Sequence, residues 1–243
     1  MTEAMRRAMN PNATEIAALS ISGHADIARE LLGGKGRSVL DVGCGAGTFT
    51  WLIAPMFERV AGLDPKAACI EEAKAAAKAK GIDADFRVGE AEKMPFADGS
   101  FDVVVFSNSL HHIPGMDAAM AEAARVVKPG GLVYVMEPVP AGTFFEATRL
   151  VNDETEIRGE AWRSLHRVTG LKPEIERLYR ARRGFSSIQE WRDGQIGHDP
   201  HRGVLFEQHK DEIDRRFHAA AEHEGGKLMF TTVSRVNVLR RSA

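Results

Sequence analysis

The amino-acid sequence predicts an α/β fold, a doubly wound, mostly parallel sheet with helices on both faces. Three observations carry this prediction. From Ser38 to about Pro138, short apolar or β-branched runs alternate with helical patterns, as in a parallel sheet joined by crossovers. The first run contains the carboxylate Asp41 and meets glycines at alternate positions, Gly43, Gly45 and Gly47, before residues able to continue as a helix. The second run closes on another carboxylate, Asp64, roughly 20 residues after the glycines, where a doubly wound fold sets an acid on ribose hydroxyls.

Taken in order, residues 1–36 read as a helical flap. Ile16, Ala17 and Leu19 form one apolar group and Ile27, Ala28, Leu31 and Leu32 another, ended by Gly33-Gly34. Packing on the sheet edge and covering a ligand both remain open for it. Strands follow at Ser38–Val42, Arg59–Leu63, Asp85–Val88, Phe101–Phe106 and Gly131–Glu137, with helices near Thr48–Phe57, Lys66–Lys80 and Met116–Val126. The second helix is alanine-rich and has Gly81 as its stop, so propensity and cap agree. The run Phe101–Phe106 is apolar at nearly every position, as a strand buried on both faces requires. Residues 37–138 are therefore read as the core domain and 139–225 as a helical cap and acceptor-site region. Within the cap, helices are expected at Thr143–Leu150, Glu154–His166, Pro173–Arg183 and Leu205–His223. Residues 226–243 are read as the strand that completes the sheet, the alternating run Phe230–Leu239 lying at one side of it, antiparallel to the others.

Composition excludes several classes. With 32 Lys+Arg against 34 Asp+Glu the net charge is -2, giving no global attraction to nucleic acid or anionic lipid. Cys44 and Cys69 are the only cysteines, too few for a disulfide framework, so a reducing cytoplasm fits. The start Met1–Arg7 is not followed by an apolar leader core, and no run approaches the ~20 apolar residues of a membrane span.

Glycines at a strand-to-helix turn permit positive φ and let a ligand lie against the backbone. The turn is thus expected to aim backbone N–H groups and a helix N-terminus at a cofactor. A dinucleotide fingerprint would place a glycine at position 48, which is Thr48. With Asp41, this argues against a nicotinamide-dependent oxidoreductase.

Five segments in order carry a more specific signal: Val39–Gly47; Leu63-Asp64; Gly89–Phe96; Phe101–Val104 with Leu110-His111-His112-Ile113; and Val127–Gly131. Together they resemble the class I S-adenosylmethionine-dependent methyltransferases, most closely the small-molecule branch of ubiquinone and menaquinone biosynthesis. The resemblance covers roughly residues 37–137. It implies a Rossmann-like core with a seven-stranded-type sheet, and S-adenosyl-L-methionine as cofactor with S-adenosyl-L-homocysteine as product. It also implies two strands after the fifth, of which the sequence shows one. The expected activity is methyl transfer to an oxygen, nitrogen or carbon of a small molecule by in-line displacement.

By the same resemblance, Gly43, Cys44, Gly45 and Gly47 run beside the methionine moiety and ribose, and Asp41 orients the loop near the ammonium. Asp64 accepts both ribose hydroxyls, while Pro65 and Cys69 supply apolar surface around the adenine. Glu90 stands where the family usually has Asp, facing the adenine amino group, with the Ala91 N–H on a ring nitrogen. Ser107 and Asn108 bring carbonyls to the amino end and form the rim of the acceptor's entrance. For acceptors that must lose a proton, His111 and Glu137, at the ends of strands four and five, are the candidate bases.

Plainer readings stand beside these. Asp41 caps a turn, and Cys44 fills a tight loop with no basic partner adjacent. His198, His201 and His209 match no zinc spacing, and no metal is expected. The run Arg177, Arg180, Arg182 and Arg183 is a solvated helix face, with an acidic acceptor and RNA as the next readings. The apolar face of Phe144, Phe145, Ala147, Leu150 and Val151 packs in a core, lines a pocket or makes a homodimer contact. Partners are a small-molecule acceptor without nucleic acid. A non-catalytic S-adenosylmethionine-binding regulator or assembly factor of the same fold, and an RNA methyltransferase, are the alternatives.

Overall fold

Helical and extended segments alternate along the chain. In the computed structural model, which describes residues 11–242, they are α1 (Ala13–Ala18), α2 (His24–Leu32), β1 (Ser38–Val42), α3 (Thr50–Ile53), β2 (Arg59–Asp64), α4 (Ala67–Lys80), β3 (Ala84–Val88), β4 (Phe101–Ser107), α5 (Met116–Val126) and β5 (Val127–Val139). Then come α6 (Thr143–Thr148), α7 (Thr155–Arg167), β6 (Leu171–Phe185), α8 (Ile188–His198), α9 (Arg202–Gln208), α10 (Lys210–Ala220), β7 (Glu222–Glu224) and β8 (Lys227–Arg241). The start Met1–Arg7 and the side chain of His198 lie outside the described residues.

The strands form one sheet in the order β3-β2-β1-β4-β5-β8-β6, with β7 paired to β8. The first five pair in parallel, Asp41 lying level with Gly62 on β2 and Val105 on β4. Successive strands run outward from β1 to β3 in one direction and from β4 in the other. A crevice therefore opens beyond the carboxyl ends of β1 and β4, where this class of sheet binds ligands. Among the described residues no helix is long and apolar enough to cross a membrane.

The chain divides into two compact units. One comprises His24–Glu137, Gly159–Arg177 and the chain from Arg235. Its α5 buries Met116, Ala119, Met120, Ala123 and Val126, one helical stripe, against Leu40, Val42, Val104, Phe106, Val133 and Val135. A separate cluster seats Ile70, Ala73 and Ala77 of α4 against Cys44 and Phe86. Gly81 ends α4 in the left-handed conformation at φ +65°, as propensity and cap predict.

The other unit comprises, among the described residues, 11–23, Pro138–Arg158 and Leu178–Ser234. Its core is aromatic: Phe185, Trp191, Phe206, Phe217 and Phe230 pack with Ala147 and Val151, and with Phe144 and Leu150 more loosely. Core packing thus accounts for most of the apolar face of α6.

Three expectations are corrected. The helix expected over Thr48–Phe57 is four residues long and passes into a 3₁₀ turn at Ala54–Met56, where Pro55 has no N–H to continue the ladder. The helix expected over Pro173–Arg183 is strand β6. Its glutamates and arginines favour a helix locally, but Tyr179, Ala181 and Phe185 are buried at alternate positions, the period of a strand. It is also the second strand after the fifth that the resemblance required, and it occupies the sheet edge, so β8 lies between β5 and β6.

Candidate functional site

Strands β1, β2 and β4 are adjacent, so their carboxyl ends bring the glycine turn, Asp64 and Ser107-Asn108 to one end of the sheet. The turn is held by bonds to the end of β2 and by one within itself. The amides of Gly43 and Cys44 both donate to the Leu63 carbonyl, at 2.7 and 3.1 Å, and the Gly47 amide donates to the Cys44 carbonyl at 2.9 Å. The Gly45 amide donates to Asp64 Oδ2 at 2.9 Å. The expectation that these N–H groups face a cofactor is therefore corrected, because protein oxygens already occupy them. The one-turn α3 likewise supplies no extended helix N-terminus.

What the turn presents is space. All three glycines have positive φ, +71°, +53° and +85°. A Cβ on Gly43 would strike Ser109 Cβ at 2.5 Å, and one on Gly47 would strike the Trp51 ring at 2.4 Å. A Cβ on Gly45 would meet no atom within 4 Å. Gly43 and Gly47 thus close the turn against its own protein, while Gly45 leaves an open surface.

Asp64 is 8% exposed and receives a second bond, from the Lys66 amide to Oδ1 at 2.9 Å. Each carboxylate oxygen has two acceptor sites, so each keeps one after its backbone bond. Val88 lies level with Asp64 on β3 and is exposed, an apolar surface that sequence reading had not marked. Pro65 is exposed beside it and Cys69 half-buried.

Asp41 is 1% exposed, and its Oδ2 accepts from Thr50 Oγ at 2.6 Å. Burial, reinforced by the nearby Asp64 charge and opposed by the Thr50 bond, raises its pKa to about 7. Asp41 ties the end of β1 to α3. Cys44 is buried and its thiol pKa is pushed up, chiefly by burial, which fits a space-filling role. Thr50 and Ser109, whose Oγ donates to the Val42 carbonyl at 2.7 Å, brace the turn. Nothing in the local sequence singled either out: the first contact joins β1 to the next helix, and the second spans 67 residues.

Beyond β3, Glu90 is exposed and Ala91 buried at the start of a 3₁₀ turn over Ala91–Lys93. After β4, Ser107 is half-buried and Asn108 exposed. Asn108 is the one described non-glycine residue at positive φ, +52°, and its amide donates to the Met136 carbonyl at 2.8 Å. Asparagine tolerates this conformation.

His111 and Glu137 meet. His111 Nδ1 bonds Glu137 Oε2, and Glu137 Oε1 accepts the Leu110 amide at 2.9 Å and the His111 amide at 3.4 Å. Both side chains are buried, and the His112 ring lies beside that of His111 with 3.9 Å between centroids. The two residues nominated as separate bases are one dyad, in which the carboxylate fixes the imidazole's orientation.

This sheet order and crevice define a doubly wound, Rossmann-like α/β fold. Residues 40–135 match the family described as "Methyltransferase domain". Over 101 residues it is 37% identical to a ubiquinone biosynthesis O-methyltransferase of Rhizobium etli, covering 42% of this chain and 41% of that protein. The chain thus spans about two-fifths of the length of the curated relatives it matches. In fold it is similar to the YcgJ protein of Bacillus subtilis, with a TM-score of 0.64 and 20% identity over 90% of this chain and 98% of that one. It is also similar to the geranyl diphosphate C-methyltransferase of Streptomyces coelicolor, crystallised with S-adenosyl-L-homocysteine, at TM-score 0.54 and 18% identity, covering 89% of this chain and 78% of that one.

Proposed function

We propose that this chain is an S-adenosylmethionine-dependent methyltransferase that transfers a methyl group to an oxygen, nitrogen or carbon of a small molecule by in-line displacement. The reading is carried by the pairing of Asp64, with acceptor capacity to spare on both oxygens, and the open surface over Gly45 to which that carboxylate is hydrogen-bonded. A glycine cradle beside a ribose-binding acid fits an adenosyl cofactor. The family match over residues 40–135 supports it.

When bound, S-adenosylmethionine supplies an electrophilic sulfonium methyl. Asp64 holds the ribose hydroxyls, and Gly43, Cys44, Gly45 and Gly47 form the bed beneath them. Pro65, Cys69, Glu90 and Ala91 enclose the adenine, Ser107 and Asn108 hold the amino end, and Asp41 keeps the turn in shape through Thr50. Alignment of an acceptor with such a methyl offsets about 7–11 kcal/mol of barrier, so a base is needed only where the acceptor must lose a proton. His111 takes that proton, its ring oriented by the bond between Nδ1 and Glu137. Glu137 is then a positioning residue.

Calorimetric titration with S-adenosyl-L-homocysteine and with NAD tests the cofactor: the first should bind and the second should not. Incubation with labelled methyl donor and a metabolite extract, followed by mass spectrometry, tests the transfer. Binding without any labelled product would favour the non-catalytic alternative.

A further inference from the structure

The segment between β4 and α5, residues 108–115, carries His111 and is tied down at three points. Ser109 Oγ donates to the Val42 carbonyl at 2.7 Å, and a Cβ on Gly43 would lie 2.5 Å from Ser109 Cβ, so the segment rests on the glycine turn. The amides of Leu110 and His111 are held by Glu137 Oε1 near the end of β5. The third tie is at the far end, where the Gly115 amide donates to Glu92 Oε1 at 3.0 Å.

Glu92 makes this tie because α5 cannot make it from within. Gly115 is the N-cap of α5 and has no side chain, and the third helical position, where a capping-box glutamate would reach back to that amide, is Ala118. Glu92 supplies the carboxylate from 23 residues away, at the positive end of the helix. The two residues fit closely, since a Cβ on Gly115 would lie 2.8 Å from Glu92 Cγ. Glu92 is half-buried in the 3₁₀ turn Ala91–Lys93 and directly follows Glu90 and Ala91, the proposed adenine contacts. The loop bearing His111 therefore runs from the glycine turn to the adenine side of one site.

We propose that Glu92 is a positioning residue for His111: it fixes the far end of the loop to the adenine side of the cofactor site, so that filling the site and placing the base are coupled. This rests on the proposed methyltransferase reading and adds a regulation of that site to it. A cofactor that stiffens the 3₁₀ turn holds the base in place, and by linkage a well-placed loop holds the cofactor.

The test is residue-resolved hydrogen exchange of the full chain by NMR. Glu92→Ala should speed exchange of the Leu110 and His111 amides about tenfold or more, the weight of a hydrogen bond to a charged group lost from a local opening. The amides of α4, in the same unit, should exchange as in the parent. Glu92→Gln, which keeps an oxygen for the Gly115 amide, should restore much of the protection. Gly115→Ala, which crowds Glu92 from the other side, should repeat the loss and serves if Glu92→Ala does not fold. S-adenosyl-L-homocysteine should slow both loop amides in the parent and do so less in Glu92→Ala. Unchanged loop exchange in a folded variant, a rise shared by the amides of α4, or equal slowing by the compound in parent and variant overturns the inference. Calorimetry with the same compound separates the two readings. Its failure to bind removes the methyltransferase proposal and leaves the effect of Glu92 on the loop standing, whereas intact binding with unchanged loop exchange removes only this one.

Discussion

Asp64 Oδ2 accepts the Gly45 amide across 2.9 Å, so the acid that ends β2 and the glycine turn that follows β1 form one rigid unit. The same carboxylate is proposed to bind ribose, which gives it two functions. Asp64→Ala should weaken S-adenosyl-L-homocysteine binding by about 1.5–3 kcal/mol, the range for hydrogen bonds to a charged group. It should also lower folding stability by about 1 kcal/mol through the lost backbone bonds. Calorimetry and urea denaturation measure the two separately, and unchanged affinity would remove the ribose role.

Two glycines should respond to alanine for different reasons. At Gly62 a Cβ would lie 2.5 Å from Phe86 ring atoms and 2.9 Å from Cys44 Sγ, so Gly62→Ala should destabilise by about 1–3 kcal/mol, as overpacking does. At Gly45 there is room but φ is +53°, so Gly45→Ala should cost only about 1 kcal/mol of stability. Its methyl group points into the cofactor's proposed place, and S-adenosyl-L-homocysteine affinity should fall more than for Asp64→Ala. Thermal melts with and without the compound report both effects.

Asp41 and Asp102 should give stability opposite pH dependences. Asp41 titrates near 7 when folded against an ordinary value of 3.8, so folding takes up a proton between those limits. Its contribution should fall as pH rises from about 4 to about 7. Burial alone would raise Asp102, but bonds from Lys128, Ser38 and the Arg37 amide outweigh it and bring it to about 2. That contribution is complete above about pH 4 and should be lost as pH falls toward 2. Urea midpoints across pH 3–8 should show Asp41→Asn gaining on the parent as pH rises from about 4 to about 7, and Asp102→Asn trailing the parent above about pH 4 with the gap closing toward the acid end.

The His111–Glu137 pair predicts coupled kinetics once an acceptor that must lose a proton is identified. His111→Ala should lower kcat by about 10²–10⁴-fold with S-adenosyl-L-homocysteine affinity unchanged, the usual contribution of a general base. Glu137→Gln should lower kcat less, and the double variant should be no slower than His111→Ala alone. Additive losses would mean that Glu137 acts without His111.

The sequence alone determined what is written in short segments. Positive-φ glycines, a carboxylate closing an apolar run, the alanine-rich helix stopped at Gly81 and the β/α alternation are local signals, and the parallel core from β1 to β5 follows from them. Tertiary structure decided what depends on partners distant in the chain. Strand β6 has the composition of a helix, and pairing at the sheet edge overrode that preference. The amides of Gly43, Cys44 and Gly45 looked available because their acceptors, Leu63 and Asp64, come from the next strand. His111 and Glu137 are 26 residues apart, so only the adjacency of β4 and β5 could show that two candidate bases are one dyad. Arg183 differs from Arg182 by one position, and the pleat sends one toward Glu222 and Glu224 and the other over two phenylalanine rings. Local propensity acts over a few residues, whereas hydrogen-bond partners, burial and the face of a strand are fixed only when distant segments pair.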